Sequence, residues 1–539
     1  MTWFSLPVTQ PDNRAAFADS AAAEAWLAQQ PQANVAAMQI ELTRQIQALN
    51  AYRMAPRERF KTLEVLRKVL FTIDGDAQRR FENRPIPLWS SEQVALDTSR
   101  RLWQSCTVGY LHCLRACLDD TPEVADLKAK IAHRTMSCLR REQMTSYLGM
   151  LEMEGEFWRN LHAVLASAEQ MGVARDPVSD RLLGETSEST VSGQYAMILL
   201  LHLARPFELS RNQFAAATRW LARWREQAEI TATPDSRPKS HSIALDLSLD
   251  RPTMAPGSAP GIPRWLALDN VLRKMRKRVE SLAAGESPEE LKLGSGISSA
   301  ACSALLKTLT ENLKHPLPIA APAEVGSPAA KVAVGLENIH RQLGGKSLKQ
   351  AEEPSSINRR EQEQIAIFGH VARTSEEANA SKPESWLLAA ASDSAALAGA
   401  ASGELQLCRP PGNGDARLNN KCLLAVQLPG ASRFALATVY RLCMHADGSL
   451  HAVARLLPGE PLPLVAEVGE RPMGKVSRQP AFLLPGAEPV DAPPSVFLPA
   501  GVPARALSIK LHHPQPLAIK LSSCIERGSD YERWICETN

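Results

Sequence analysis

The period of the apolar residues changes along this chain, and that change constrains the fold more than any other feature. From Ala21 to about Glu229, apolar residues recur at three- and four-residue steps. Met38, Leu42, Ile46 and Leu49 form one stripe, and Leu63, Leu66, Val69 and Leu70 another. Such spacing lines one face of a helix. From Trp386 onward the apolar residues instead alternate in short runs bounded by Pro and Gly, among them "KCLLAVQL", "RFALATVYRL", "LHAVARLL", "RALSIKL" and "LAIKLSSCIE". That is strand periodicity. Two periods in separate blocks predict a multidomain α+β chain.

The first block, residues 1–230, reads as an all-α array. After a first helix opening behind Asp19-Ser20, the pattern predicts helices over Ser91–Leu118, Val124–Leu139, Arg141–Gly172, Ser192–Ala204 and Arg211–Ala228. "EFWRNLHAVLASAEQMGV" and "RNQFAAATRWLARWREQAE" look like paired-helix units, with stripes at Trp158, Leu161, Leu165 and at Phe214, Ala217, Leu221, Trp224. There is no strict period of 34, so the array is at most a degenerate TPR-like repeat. Stacked repeats would present a long surface to a protein partner, whereas a plain helical bundle would have no groove.

A small α/β middle module is expected over residues 242–314. "SIALDLSLD" alternates Ile243, Leu245, Leu247 and Leu249. "RWLALDNVLRKMRKRVESLAAG" then places Leu268, Val271, Leu272, Met275, Val279 and Leu282 on one helix face. Beside that face lie Arg273, Lys274, Arg276, Lys277 and Arg278, a cluster that either holds phosphates or is simply solvated. No aromatic residues interleave it, as single-stranded nucleic acid would want.

Residues 331–475 are expected to form a β-barrel preceded by a strand-helix step, "KVAVGLENIHRQLGG", and residues 476–539 a further short β-unit. The clearest hairpin is "RFALATVYRLCMHADGSLHAVARLL". Phe434, Leu436, Thr438, Tyr440 and Leu442 alternate on one arm, Leu450, Ala452, Ala454 and Leu456 on the other, and Asp447-Gly448 supply a tight turn. The prolines beside the later strands, Pro480 among them, predict short or edge strands.

Composition narrows the function classes. The 539 residues carry a formal net charge of +3, which argues against non-specific nucleic-acid binding by the whole chain. The longest apolar run, Tyr195–Ala204, is about half of a membrane span, and the N-terminus lacks a basic start and apolar core, so a cytoplasmic protein is expected. The ten cysteines include no Cys-x-x-Cys pair. Cys113 and Cys117, beside His112, read as core packing rather than a metal site. There is no phosphate-binding Gly-x-x-x-x-Gly-Lys-Ser/Thr loop, no Gly-x-Gly-x-x-Gly, no His-Glu-x-x-His and no Gly-x-Ser-x-Gly. No catalytic residue, cofactor or metal is therefore assigned.

The order of parts resembles a group of long cytosolic β-proteobacterial proteins described as cyclic-di-GMP-binding, with a PilZ-like β-barrel behind a helical region. "ILLLHLARPFELSRNQFAAATRWLARW", "VAVGLENIHRQLGG", "ESWLLAAASDSA" and "PPSVFLPAG" carry the resemblance. It implies cyclic-di-GMP as a ligand and a signalling or adaptor role. The PilZ signature is Arg-x-x-x-Arg before the barrel and Asp/Asn-x-Ser-x-x-Gly on an early strand. Here "INRREQEQIAIFGHVART" holds Arg359, Arg360 and Arg373 with no two four apart. "WLLAAASDSAALAG" places Ala390, Ser392 and Ala395 where Asp/Asn, Ser and Gly belong, with Asp393 beside them. With both halves degenerate, the candidate ligand contacts are Arg359, Arg360, Arg373, Ser392, Asp393, Arg433 and Arg441. The alternative is a protein scaffold with no nucleotide.

Overall fold

The computed structural model describes residues 4–12, 14–31, 34–183, 188–235, 237, 240–255, 257–258, 261–316, 327–345, 382–389, 403–470, 476–486, 493–513, 515–517 and 519–538. The chain forms two compact units: Met1–Arg84 with Leu88–Ile319, and Pro85–Pro87 with Ala320–Asn539.

The first unit begins with helices α1 (Ser20–Ala28), α2 (Val35–Ala51), α3 (Pro56–Gln78), α4 (Ser90–Leu118), α5 (Lys128–Leu148) and α6 (Gly155–Gln170). Their starts follow local chemistry. Asp19 caps α1 by accepting the Ala22 N–H at 2.7 Å, and Pro56 opens α3 where a missing N–H costs nothing. A short hairpin, β1 (Val178–Ser179) with β2 (Glu188–Ser189), leads to α7 (Val191–Leu203) and α8 (Arg211–Trp224). Helix α7 contains the long apolar run. It is buried on nearly every side, which makes it the centre of this unit.

Two expectations change here. The sequence predicts a break near residue 140 and one helix over Arg141–Gly172. Instead α5 continues to Leu148 and the chain turns before α6. The Gly149 and Leu151 N–H groups bond to the Thr145 and Ser146 carbonyls, with Met150 in the left-handed region at φ 57°. This is a Schellman-type stop formed without a glycine at its left-handed position. The second change concerns the middle module, which folds as part of the helical unit. Strands β3 (Glu229–Thr231), β4 (Ser242–Asp246) and β5 (Pro263–Ala267) form one sheet in the order β3-β5-β4. Helices α9 (Asp269–Ala283) and α10 (Ser299–Lys314) follow. Buried polar groups tie these pieces together: Trp220 Nε1 donates to the Leu293 carbonyl at 2.8 Å and Asn312 Nδ2 to the Ala204 carbonyl at 3.1 Å.

The second unit opens with β6 (Ala329–Val334) and α11 (Leu336–Gln342). Strands β7 (Glu384–Leu388), β8 (Glu404–Arg409), β9 (Leu423–Gln427), β10 (Ala435–Met444) and β11 (Leu450–Leu456) then join β6 in a closed barrel ordered β10-β11-β8-β7-β6-β9. Arg409, the last residue of β8, is buried. Its guanidinium bonds Glu384 at 3.2 Å and the Ala416 carbonyl at 2.7 Å, and it lies over the Trp386 ring.

Strands β12 (Leu462–Glu470), β13 (Val476–Leu484), β14 (Ser495–Pro499), β15 (Ala506–His513), β16 (Gln515–Leu517), β17 (Ile519–Arg527) and β18 (Tyr531–Thr538) form a second sheet. Its order is β16-β15-β12-β13-β14-β18-β17. Strand β12, expected in the barrel, pairs here with β13 and β15. Pro480 lies within β13 where β14 no longer pairs, since β14 reaches only Phe482–Leu484, so the missing N–H interrupts no ladder on that side. Phe482, Leu484, Phe497 and Tyr531 of this sheet pack against Leu423, Ala425 and Leu436 of the barrel and Ile339 of α11. The sheet therefore covers the barrel around β9 and the start of β10.

Candidate ligand-binding face of the barrel

The opposite side of the barrel is built by β8, β11 and the far half of β10. Directly paired residues share a face of a sheet, so the register fixes what lies outside. Glu404, Arg455 and Thr438 form one row, Gln406, Val453 and Arg441 the next, and Cys408, His451 and Cys443 the third. The intervening residues Leu405, Leu407, Ala452 and Ala454 are buried inside.

A bulge makes this face. Register shifts between Val439 and Arg441, leaving Tyr440 as the extra residue. The expected single-faced alternation from Phe434 to Leu442 is thus broken. Ala437, Val439 and Leu442 share the inner face, while Thr438, Arg441 and Cys443 share the outer one. The Arg455 guanidinium sits over the Tyr440 ring at 5.6 Å, a cation–π pair in which both groups can also receive a base. The hairpin loop is longer than expected and only Gly448 takes positive φ, at 82°. Its N–H bonds to the His445 carbonyl, and Asp447 accepts from the Ser449 N–H and hydroxyl.

The loop end of the face is a closed polar cluster. His445 and His451 stack at 3.8 Å with an interplanar angle of 17°. His451 Nε2 lies 3.0 Å from Ser449 Oγ and 3.6 Å from Cys408 Sγ. Burial, then the adjacent His445 charge, pushes the His451 pKa down to about 4, so this ring is neutral at pH 7. Burial also pushes the Cys408 thiol up. Arg441 and Arg455 carry fixed positive charge on this face, with Glu404 and Gln406 in the neighbouring strand. Guanidiniums donate to phosphate oxygens or to guanine O6 and N7, and carboxylate or amide oxygens accept from guanine N–H groups. These groups can meet an anionic purine nucleotide.

Of the candidate contacts read from the sequence, Arg441 lies on this face. Arg433 is not brought to it. It precedes β10, is ion-paired with Glu460, and lies at the other end of a strand about 20 Å long from Ala435 to Arg441. Arg359, Arg360, Arg373, Ser392 and Asp393 lie outside the described residues. Arg455, Tyr440 and Glu404, not among the candidates read from the sequence, lie on the same face. Arg455 was readable from its parity against Leu450, Ala452 and Ala454, but its pairing with Tyr440 depends on the bulge.

The helical unit holds its own concentration of charge, but inside. Asp180 accepts from both Arg67 Nη atoms, at 3.0 Å for Nη1, and its other oxygen is 3.1 Å from Arg134 Nη1. Arg134 Nε reaches Glu64 at 3.1 Å, and Tyr110 donates to Glu64 at 2.7 Å. Burial raises the Asp180 carboxyl, but the hydrogen bond and charge of Arg67, with Arg134, outweigh it and hold it below its usual range. Burial first, then the Arg134 charge, pushes His133 down to about 3. This network fastens the β1–β2 hairpin to α3 and α5. Cys113 and Cys117 are buried nearby, and burial pushes the Cys113 thiol up to about 12. Among the described residues no group of three metal-ligating side chains converges, and no helix is long and apolar enough to cross a membrane.

Residues 21–235 match the family described as "Cyclic-di-GMP receptor FimW, N-terminal domain". A curated relative, the cyclic-di-GMP receptor FimW of Pseudomonas aeruginosa, is 25% identical over 206 residues, which is 38% of this chain and 34% of that protein. The chain thus spans about a third of that relative's length. No solved structure matches. Over residues 21–235, this chain is similar to the N-terminal domain of the cyclic-di-GMP receptor FimW.

Proposed function

We propose that the chain is a non-catalytic cytoplasmic effector of cyclic-di-GMP. In this reading the second unit is a PilZ-like barrel that holds the dinucleotide on its β8–β11–β10 face. The helical unit, a degenerate TPR-like array, engages a protein partner. The observation that carries the reading is the match of residues 21–235 to the N-terminal domain of a cyclic-di-GMP receptor. The outward Arg441 and Arg455, with Tyr440 and Glu404 beside them, supply the chemistry a guanine dinucleotide needs. Arg359, Arg360, Arg373, Ser392 and Asp393 are proposed as further contacts from the segments flanking β7.

Titration of the full chain with fluorescent cyclic-di-GMP tests this. Saturable binding is expected, weakened about tenfold or more in Arg441→Ala and again in Arg455→Ala, as a lost charged hydrogen bond implies. No saturation up to high micromolar ligand would remove the nucleotide. Binding that both variants leave unchanged would keep the ligand and move it off this face. The scaffold alternative draws on exposed apolar Trp89 and Val94 at the start of α4 and Ile40 on α2, the helix packed beside it. Absence of nucleotide binding would favour it.

A further inference from the structure

Helix α9 carries five cations and two carboxylates within Asp269–Ala283. Its net charge of +3 equals that of the whole 539-residue chain, so the remainder of the sequence balances and the excess is local. The apolar face, Val271, Leu272, Met275 and Leu282, is buried, and Thr310 of α10 reaches the Met275 sulfur. Arg273, Arg276 and Lys277 are exposed on the other side, with Lys274 and Arg278 flanking them half-buried.

These cations lack counter-charges. Arg273 donates only to Asn270, at 2.7 Å. Among the described residues Lys274, Arg276, Lys277 and Arg278 form no ion pair. Arg278 Nε is buried without a hydrogen-bond partner. Burial, and then the like charge of Arg278, holds Lys274 below its usual range. Asp269, at the helix start, is already engaged by Arg237 and His241. Unpaired like charges crowded on one helix face are destabilising, and an external anion relieves that repulsion.

We propose that this face of α9 docks on an anionic phospholipid surface, giving the protein a reversible peripheral membrane association. The geometry favours that anion over others. The five cations fall within Arg273–Arg278, about one and a half turns of the helix, and the exposed Arg273, Arg276 and Lys277 stand side by side on one helix face, where neighbouring headgroups of a lipid plane can each meet a cation. No aromatic residue lies among them to stack a base, as a single-stranded nucleic acid would require. A basic face backed by a buried apolar face adds electrostatic attraction without insertion, and each cation near such a surface raises partitioning about fivefold.

Co-sedimentation of the full chain with vesicles tests this. Vesicles of phosphatidylethanolamine and phosphatidylglycerol should bind it, and phosphatidylcholine vesicles should not. Binding should fall as salt rises from about 0.1 M to about 0.5 M. The double variant R276E/K277E, altered only at exposed positions, should keep its helical circular dichroism and melting temperature while losing at least about 25-fold in partitioning. Equal binding by the variant, or equal binding to both vesicle types, would overturn the proposal. So would saturable binding of inorganic phosphate or of a duplex DNA oligomer at moderate salt, abolished by the same variant, with no vesicle binding.

Discussion

Replacing Asp180 by Ala is expected to destabilise the helical unit by about 3–5 kcal/mol, the cost of stranding a buried charge when its partner is removed. Asp180 and Arg67 are each only 3% exposed, and Arg134 is 4% exposed. Without the carboxylate, Arg67 keeps only its bond to Ser137 Oγ, and Arg134 keeps Glu64 and the Ser179 carbonyl. Guanidiniums do not discharge at any accessible pH, so the stranded charge has no escape through deprotonation. The lowered pKa adds a pH signature. The pair's contribution is present above the usual 3.8 and is lost as pH falls through the depressed folded value. The measurement is urea denaturation followed by far-ultraviolet circular dichroism, which reports the helices. A loss below 1 kcal/mol at pH 7 would mean that water reaches the guanidiniums. Adding Arg67→Met to the alanine variant should recover part of the loss, because it removes the guanidinium left without a carboxylate.

Much of this fold could be read from periodicity, and the limits of that reading are physical. The run Tyr195–Ala204 announces a helix buried all round, and it lies within the buried centre of the first unit. Alternation in Leu450–Leu456 gives both the strand and the outward side of Arg455. Alternation fixes which face a residue takes but not which strand lies beside it. Strand β12 therefore reads like a barrel strand although it pairs with β13 and β15. The break after Leu148 was hidden because the left-handed residue is Met150, where a glycine would have signalled it. The candidate face was half legible for a similar reason. Arg441 reaches the outside because Tyr440 is a bulge, and an unbulged strand would turn it inward with Ala437 and Val439. The polar core around Asp180 left no sequence signal, since its partners come from α3, α5 and the β1–β2 hairpin, far apart in the chain.

Glu142→Gln is expected to stabilise the helical unit at pH 8 by about 2–3 kcal/mol while leaving it near the parent at pH 5. Glu142 is 5% exposed on α5 and accepts a hydrogen bond from Gln104 Nε2 at 2.7 Å. Burial pushes its pKa from the usual 4.5 up to about 7. The Gln104 hydrogen bond and the Arg100 charge pull it down, and the Glu156 and Glu154 charges push it up further. A raised carboxyl binds a proton on folding between these two values. The native state thus gains stability below about pH 4.5 relative to its stability above 7, and that gain drains away as pH rises through the folded pKa. A shift of this size corresponds to about 3 kcal/mol. Glutamine keeps an oxygen to accept from Gln104, and nothing at the position then ionises. Arg100 is ion-paired with Glu154, at 3.3 Å, and its buried Nε makes no hydrogen bond, so its pull on Glu142 falls short of the cost of burial. Denaturation midpoints for the parent and the variant, measured from pH 5 to pH 8, should diverge up to about pH 7 and then level off. Parallel curves would show that Glu142 is already ionised, at ordinary cost, in the folded protein.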